Sequence, residues 1–435
     1  MTSGFAYWTR YVAITLLATF VLAEVTARLL TETTPSGLLR TRFREVALLP
    51  LRPSEAVVRQ ALDTFSRDRF LETDRDLGWN VRRNQNEGND HTNSLGFRAE
   101  PDYRYSALPP DGKVRVVTLG DSFVYCSQVR NHETWQVYLE GLRDGIEVLN
   151  LGLPGGGTDQ AFLRWRRDGK PFWSHIVVLG IWPDNLFRNL AIVNYYRTMS
   201  SLPFTKPRLV LDASGATRFV NVPIMSRDEL VSTLTNPEAN ALLEHDFWFE
   251  PRDVAAFWYR RIRVFQLVES VWRRYERKLT YRKLLMGVTP DAIEVTVAIA
   301  KLFAEEVREA GSIPLVLMIP DRTSLDPDMG GDLLPLIQRF REEQIDVIDM
   351  GPSFGHEVMT NGPAEYYVDG IGHHSAYGNQ VFARYLEEEL RPWIEQAHFL
   401  PRPAQPTARK AVETSESHPG DREDPTSFRA SGRLL

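Results

Sequence analysis

Along the chain, apolar positions switch between two periods. "VRVVTL", from Val114, is a mostly apolar, β-branched run of strand length, whereas "ETWQVYLEGLRDG" spaces its apolar residues at helical intervals and closes on Gly145. "IEVLNLG" reads as a second strand, "TDQAFLRWRRDG" as a second helix and "HIVVLGIW" as a third strand. The same texture returns after residue 290 with helix "PDAIEVTVAIAKLFAEEVREAG", strand "IPLVLMIP", helix "DLLPLIQRFREEQ", strand "IDVIDMG" and a last helix, "SAYGNQVFARYLEEELRPWIEQ". Such alternation predicts an α/β fold: a doubly wound, mostly parallel sheet with helices on both faces.

The pattern pauses between about residues 196 and 290, where a hairpin-like "PRLVLDASGATRFVNVP" turns at Ser214-Gly215 ahead of a long helical stretch. This reads as an insertion within one domain spanning 111–400. In the helical stretch Trp258, Ile262, Phe265, Trp272, Tyr275 and Leu279 recur near helical spacing among many Arg and Lys residues. Two readings fit a basic amphipathic helix: contact with anionic lipid or an acidic glycan, or a core-packed helix with a solvated charged face. The second is favoured because solvated charged faces are common.

At the N-terminus, Tyr11 to Ala23 carries no charge, and Glu24 and Arg28 follow one helical turn apart. Residues 1–30 are therefore a transmembrane anchor or a signal-like segment, with Val25-Thr26-Ala27 as a mediocre cleavage site. Residues 31–110 read as a connecting region whose most patterned piece is "HTNSLGFRAEPDYR". Beyond Leu400 the chain is rich in Pro, Ser and charge, so 401–435 has the composition of a disordered tail.

Composition adds exclusions. An apolar fraction of 43% supports a large core, and a net charge of −6 supplies no basic field for a phosphate backbone, so no nucleic-acid partner is expected. The single cysteine, Cys126, can form neither an internal disulfide nor a multi-thiolate metal site, and reads as a buried structural thiol.

The first strand breaks at Gly120-Asp121-Ser122, where a parallel sheet presents polar groups at its carboxyl edge. A serine there becomes a nucleophile only if a base accepts its proton and a third group orients that base. Among nine histidines, His373 and His374 stand out because Asp369 shares their short loop, just before the last helix and at the same sheet edge.

"LGDSF", "NLGLPGGGTDQ", "VVLGIWPDN" and "DGIGHH", in that order, resemble the four sequence blocks of SGNH/GDSL hydrolases. The resemblance covers roughly residues 90 to 395, with "NSLGFR" ahead of the serine. It implies Ser122 as nucleophile, His373 as general base and Asp369 as its orienting carboxylate. It also implies an oxyanion hole of the Ser122 and Gly152 N–H groups with an asparagine side chain. The third block departs from the usual Gly-x-Asn-Asp, since Gly180 is followed by Ile181-Trp182-Pro183-Asp184-Asn185. Only an amide can donate to an oxyanion, which selects Asn185 over Asp184. The last block separates acid and histidine by four or five positions rather than three; the resemblance implies His373, whose distance to Gly378 matches the family's His-to-Gly spacing, leaving His374 for substrate contact or solvent.

Taken with the N-terminal segment, the resemblance implies a membrane-tethered serine esterase acting through an acyl-enzyme on an acylated small molecule, lipid or glycan, with no cofactor and no metal. Two alternatives are an O-acyltransferase to a cell-envelope glycan and a catalytically inactive glycan-binding or scaffold protein. The resemblance and the signal-like segment point to an extracytoplasmic body, against the basic residues Arg28, Arg40, Arg42 and Arg44 that follow the apolar run.

Overall fold

The apolar runs become strands, four of them buried on both faces as helix-covered parallel strands must be. The structure, a computed structural model, describes residues 2–33, 38–40, 45–86, 88–200, 202–212, 214–289, 291–322, 324–325, 333–368 and 372–401. The sequence expected as a disordered tail, from 402 onward, lies outside the described residues.

The elements that position the site are, in chain order, helix α1 (Thr2–Leu30), strand β1 (Val114–Gly120), α2 (Trp135–Leu142), β2 (Ile146–Gly152), α3 (Thr158–Arg164) and β3 (Ile176–Ile181). They continue with α4 (Arg263–Leu285), α5 (Asp291–Glu309), β4 (Ile313–Met318), α6 (Leu334–Glu342), β5 (Val347–Asp349) and α7 (Ala376–Ala397). The sheet runs β5-β4-β3-β1-β2, every pair parallel. From β1 the chain goes out to β2 and returns across β1 to β3, so the connections diverge at the carboxyl ends of β1 and β3. That divergence opens the crevice in which doubly wound sheets bind ligands.

Alternate residues of each strand serve opposite faces. Val114, Val116, Ile176, Val178, Leu315 and Leu317 pack with Trp135 and Leu139 of α2 and Phe382 and Leu386 of α7. Their neighbours Val117, Leu119, Val177, Leu179 and Val316 pack with Phe162 of α3 and Ile299 and Phe303 of α5.

The segment read as an insertion shares this second core through Tyr196, Leu209, Trp248 and Leu284. It is also tied to α3 by a buried Lys206–Asp159 ion pair of 2.6 Å. Within it α4 is turned opposite to the expected sense. Arg273 and Arg277 point inward onto the buried Asp253, with Arg273 Nε and Nη2 donating to its two oxygens at 2.7 and 2.8 Å. Trp272 and Val271 point outward, 58% and 63% exposed.

The segment read as a connecting region is likewise part of the folded body. Arg98 N donates to the Asn150 carbonyl at 3.0 Å, and the Arg98 guanidinium holds the Cys126 and Val129 carbonyls just after Ser122. Arg164, fully buried, donates to the Gly96 carbonyl at 2.8 Å. The N-terminal helix α1 is long and apolar enough over Tyr7–Leu30 to cross a membrane.

β1, β2 and β3 all carry a Leu-Gly pair at or next to their carboxyl ends, with Gly120 in register with Gly152. A Cβ at Gly120 would stand 3.0 Å from the Gly180 carbonyl oxygen and strike Val124, and one at Gly180 would strike the same valine. A Cβ at Gly152 would overlap the Tyr125 backbone, its Cα 2.6 Å away. The helical turn Ser122–Tyr125 therefore sits directly on a side-chain-free floor.

This geometry predicts opposite signs for two substitutions. Gly152→Ala must shift the Tyr125 backbone and should lower stability by about 1–3 kcal/mol, the usual range for overpacking. Gly141→Ala, on the outer face of α2 with nothing within 4 Å of its Cβ, should raise stability by up to about 1 kcal/mol. Urea denaturation of the two variants checks both.

Candidate active site

Ser122 opens the turn that follows β1, and Asp121 caps it, its Oδ1 accepting from Phe123 N at 3.0 Å. The last strand-to-helix loop supplies the partner. There Ser375 N donates to the Tyr366 carbonyl at 2.8 Å and Val368 N to the His373 carbonyl at 2.9 Å, while Ser375 Oγ caps α7 by accepting from Gly378 N. Gly378 is required at this point because a Cβ there would overlap the Tyr366 carbonyl. The clamped loop delivers His373 to the crevice, its Nε2 2.8 Å from Ser122 Oγ across 251 positions of sequence. Phe123 flanks the imidazole at 4.8 Å between ring centroids. Ser122 is only 7% exposed and His373 only 6%.

The remaining expected site residues fare differently. Asp369 lies outside the described residues. His374, expected to face substrate or solvent, is instead buried among Phe354, Tyr367 and Phe382, with centroids 5.0–5.5 Å away. Burial pushes its imidazole down to about 4, so the ring is neutral at pH 7. Alternation explains the difference: adjacent residues of an extended segment face opposite sides, so a loop that turns His373 toward Ser122 turns His374 into the apolar core.

Gly152, expected as an oxyanion donor, has its N–H on Asn150 Oδ1 at 3.0 Å. Its missing side chain makes room for Tyr125, not for an anion. Asn185 begins a short helix after β3 and is buried near the serine turn. Its Nδ2 donates to Asp121 Oδ2 at 3.1 Å and to the Gly156 carbonyl at 3.2 Å, while its Oδ1 accepts from Trp182 N. In this arrangement the amide holds the acid beside the serine. Cys126 is buried and its thiol pushed up to about 12 by desolvation, as a structural thiol requires.

Three residues were missed by the sequence reading. Arg188, one turn after Asn185, donates to Asp121 Oδ2 at 3.0 Å and to Asp184 Oδ2 at 2.7 Å, and Arg197 pairs with Asp184 at 3.0 Å. Burial pushes Asp184 upward, but the two arginines outweigh it and hold the carboxyl below its ordinary value. At Asp121 burial wins over Arg188, and the carboxyl is raised. No local motif signals this network. The third residue, Asp321, follows β4 in "LMIPD" and carries the same strand-end signature that marked Ser122. It is buried, and desolvation pushes its carboxyl up to about 6 despite the Ser324 N–H bond at 2.6 Å.

A serine after β1 and a histidine before the last helix thus meet at the switch point, with the second and third blocks at the ends of β2 and β3. The fold is a five-stranded parallel sheet covered by helices on both faces. No protein-family model matches the chain, and no curated protein does. Among solved structures it is similar to a protein of the G-D-S-L lipolytic family from Desulfitobacterium hafniense DCB-2 at 11% identity, covering 63% of this chain and 99% of the other with a TM-score of 0.33. A variant of an acetylxylan esterase from Geobacillus stearothermophilus matches at 14% identity, 65% and 95% coverage and a TM-score of 0.34. A lipolytic G-D-S-L family member from Veillonella parvula DSM 2008 matches at 12%, 63% and 97%, with a TM-score of 0.31.

Asp321 makes the stability of the folded body depend on pH. Its folded-state value lies above the ordinary 3.8, so the charged form destabilises the fold. That cost is complete above about pH 6 and disappears as pH falls toward 4. Asp321→Asn, which keeps an acceptor for Ser324, should stabilise the protein at pH 7.5 by up to about 3 kcal/mol, since each tenfold change in proton affinity is worth about 1.4 kcal/mol. The gain should vanish near pH 4, as thermal melts of both proteins across that range would record.

Proposed function

We propose that the protein is a membrane-tethered serine ester hydrolase acting through an acyl-enzyme. The observation that carries this reading is the 2.8 Å contact between Ser122 Oγ and His373 Nε2 at the carboxyl edge of β1. In this mechanism His373 Nε2 takes the serine proton as Oγ attacks the ester carbonyl, then returns it to the leaving alkoxide oxygen. Water repeats the sequence against the acyl-serine and releases the carboxylic acid. Asp369 orients the imidazole. The Ser122 N–H, at the first position of a helical turn, meets the negative oxygen, and Asn185 joins it once its amide leaves the Asp121 carboxylate. The substrate is an acylated small molecule, lipid or glycan, and α1 holds the body at the membrane.

Hydrolysis of a short-chain aryl ester by purified full-length variants tests the reading. Ser122→Ala and His373→Ala should each lower the rate by on the order of a thousandfold or more, and the double variant should be little worse, because a nucleophile and its base act as a unit. Asp369→Asn should be impaired less. A fluorophosphonate should label the wild type and not Ser122→Ala. Full activity in Ser122→Ala would overturn the serine mechanism, and transfer of the acyl group to an added glycan instead of water would reassign the reaction to acyl transfer.

A further inference from the structure

Helix α4 is amphipathic in the wrong sense for water. Its strongest polar groups are buried: Arg273 holds both oxygens of Asp253, and Arg277 donates to the same carboxylate at 3.0 Å. In the turn that precedes the helix, Arg260 forks onto Glu269 at 2.6 and 2.8 Å. The opposite face carries Phe265, Val268, Val271, Trp272, Tyr275 and Leu279, all exposed, and Trp258 just ahead of the helix is 75% exposed. A buried guanidinium is tolerated only when paired, and a continuous apolar stripe on a monomer marks a contact surface.

The start of this stripe is joined to α1. Ile262, the residue before α4, offers no side-chain cap, and Glu24 of α1 replaces it: its carboxylate accepts from the N–H of Arg263 at 3.0 Å and of Val264 at 2.9 Å. A carboxylate at a helix N-terminus also meets the positive end of the dipole. Arg28 pairs with Glu24 at 2.6 Å and donates to the Arg261 carbonyl at 3.0 Å, and Phe20 meets Phe265 at 5.6 Å. Among Tyr7–Leu30 only Phe20, Glu24 and Ala27 are covered by the body, and the remainder is exposed. The charged end of α1 is thus fastened to the first turn of α4. Farther along, Lys278, Arg282 and Lys283 stand exposed beside the rings.

We propose that the outer face of α4 is a membrane seat: Trp258, Val268, Trp272 and Tyr275 lie in the headgroup layer of the bilayer that α1 enters, with the basic residues on its lipid phosphates. Trp and Tyr beside Lys and Arg form the side-chain set that settles at that depth. The location of the bilayer rests on the tether reading above; the seat itself goes beyond it, because an anchor alone would leave the body free to tumble. A seated body would instead hold one fixed face toward the lipid.

The full chain, reconstituted in vesicles of phosphatidylcholine with phosphatidylglycerol, carries nitroxide labels at Val268→Cys, Trp272→Cys, Leu16→Cys on α1 or Leu142→Cys on α2; the native Cys126 is buried. The ratio of collision with oxygen to collision with a water-soluble nickel chelate should be several-fold higher at 268 and 272 than at 142, and highest at 16. A lipid-like ratio at 16 with water-like ratios at 268 and 272 would overturn the seat and leave the tether standing. A water-like ratio at 16 would overturn the tether, and the seat with it. Dipolar broadening between labels at 272 that persists on dilution into excess lipid would assign the face to a second copy of this chain and overturn the proposal.

Discussion

The placement of the candidate nucleophile depends on close approach between the serine turn and three neighbouring strands. Gly120, Gly152 and Gly180 remove side chains at the ends of β1, β2 and β3, and Val124 and Tyr125 occupy the space so created. The turn can then begin immediately after β1, with Ser122 raised at the switch point of the sheet. A Cβ at any of the three would push the turn away from the floor, and a displacement of a fraction of an ångström is comparable to the tolerance of a hydrogen bond between Oγ and an imidazole. Packing and chemistry are therefore set by the same contacts.

The charges around that turn divide into two neighbouring groups. Asp121, Asn185 and Arg188 form a buried cluster beneath the serine, and Asp184 joins it through Arg188 and Arg197. Two arginines face the two acids, and such pairing is how ionic groups persist at such depth. Asp321 lies beyond it without an arginine partner among the described residues, and burial raises its carboxyl.

The inserted segment contributes more than bulk. Its side chains complete the core under α3 and α5, and its long helix gathers buried guanidiniums on one side and aromatic rings on the other. The Glu24 contact joins α1 to that helix through the backbone N–H groups of a helix N-terminus, which every α-helix leaves unsatisfied. A helix joined to the body by such caps is held in a fixed orientation, whereas a flexible linker would not hold it so.

Much of the architecture was legible along the chain. Strand-length apolar runs alternating with helical periods specified a parallel sheet, because a parallel strand must be covered on both faces and its crossover requires a helix. Strand-end polar residues marked Ser122 and the loop of His373 for a related reason, since the carboxyl edge is where backbone leaves the ladder. What the chain could not express were relations without a local period. Whether an N–H at Gly152 faced an anion or a neighbouring amide, and whether His374 faced solvent or core, followed from which residues crossed nearby. The inward turn of the arginines on α4 followed from Asp253, twenty positions before Arg273 and reached only by folding. Local sequence determined the elements and their order, because periodicity and turn chemistry act over a few residues. Tertiary structure decided the partners of each charge and amide, because burial and pairing energies depend on groups brought together from distant parts of the chain.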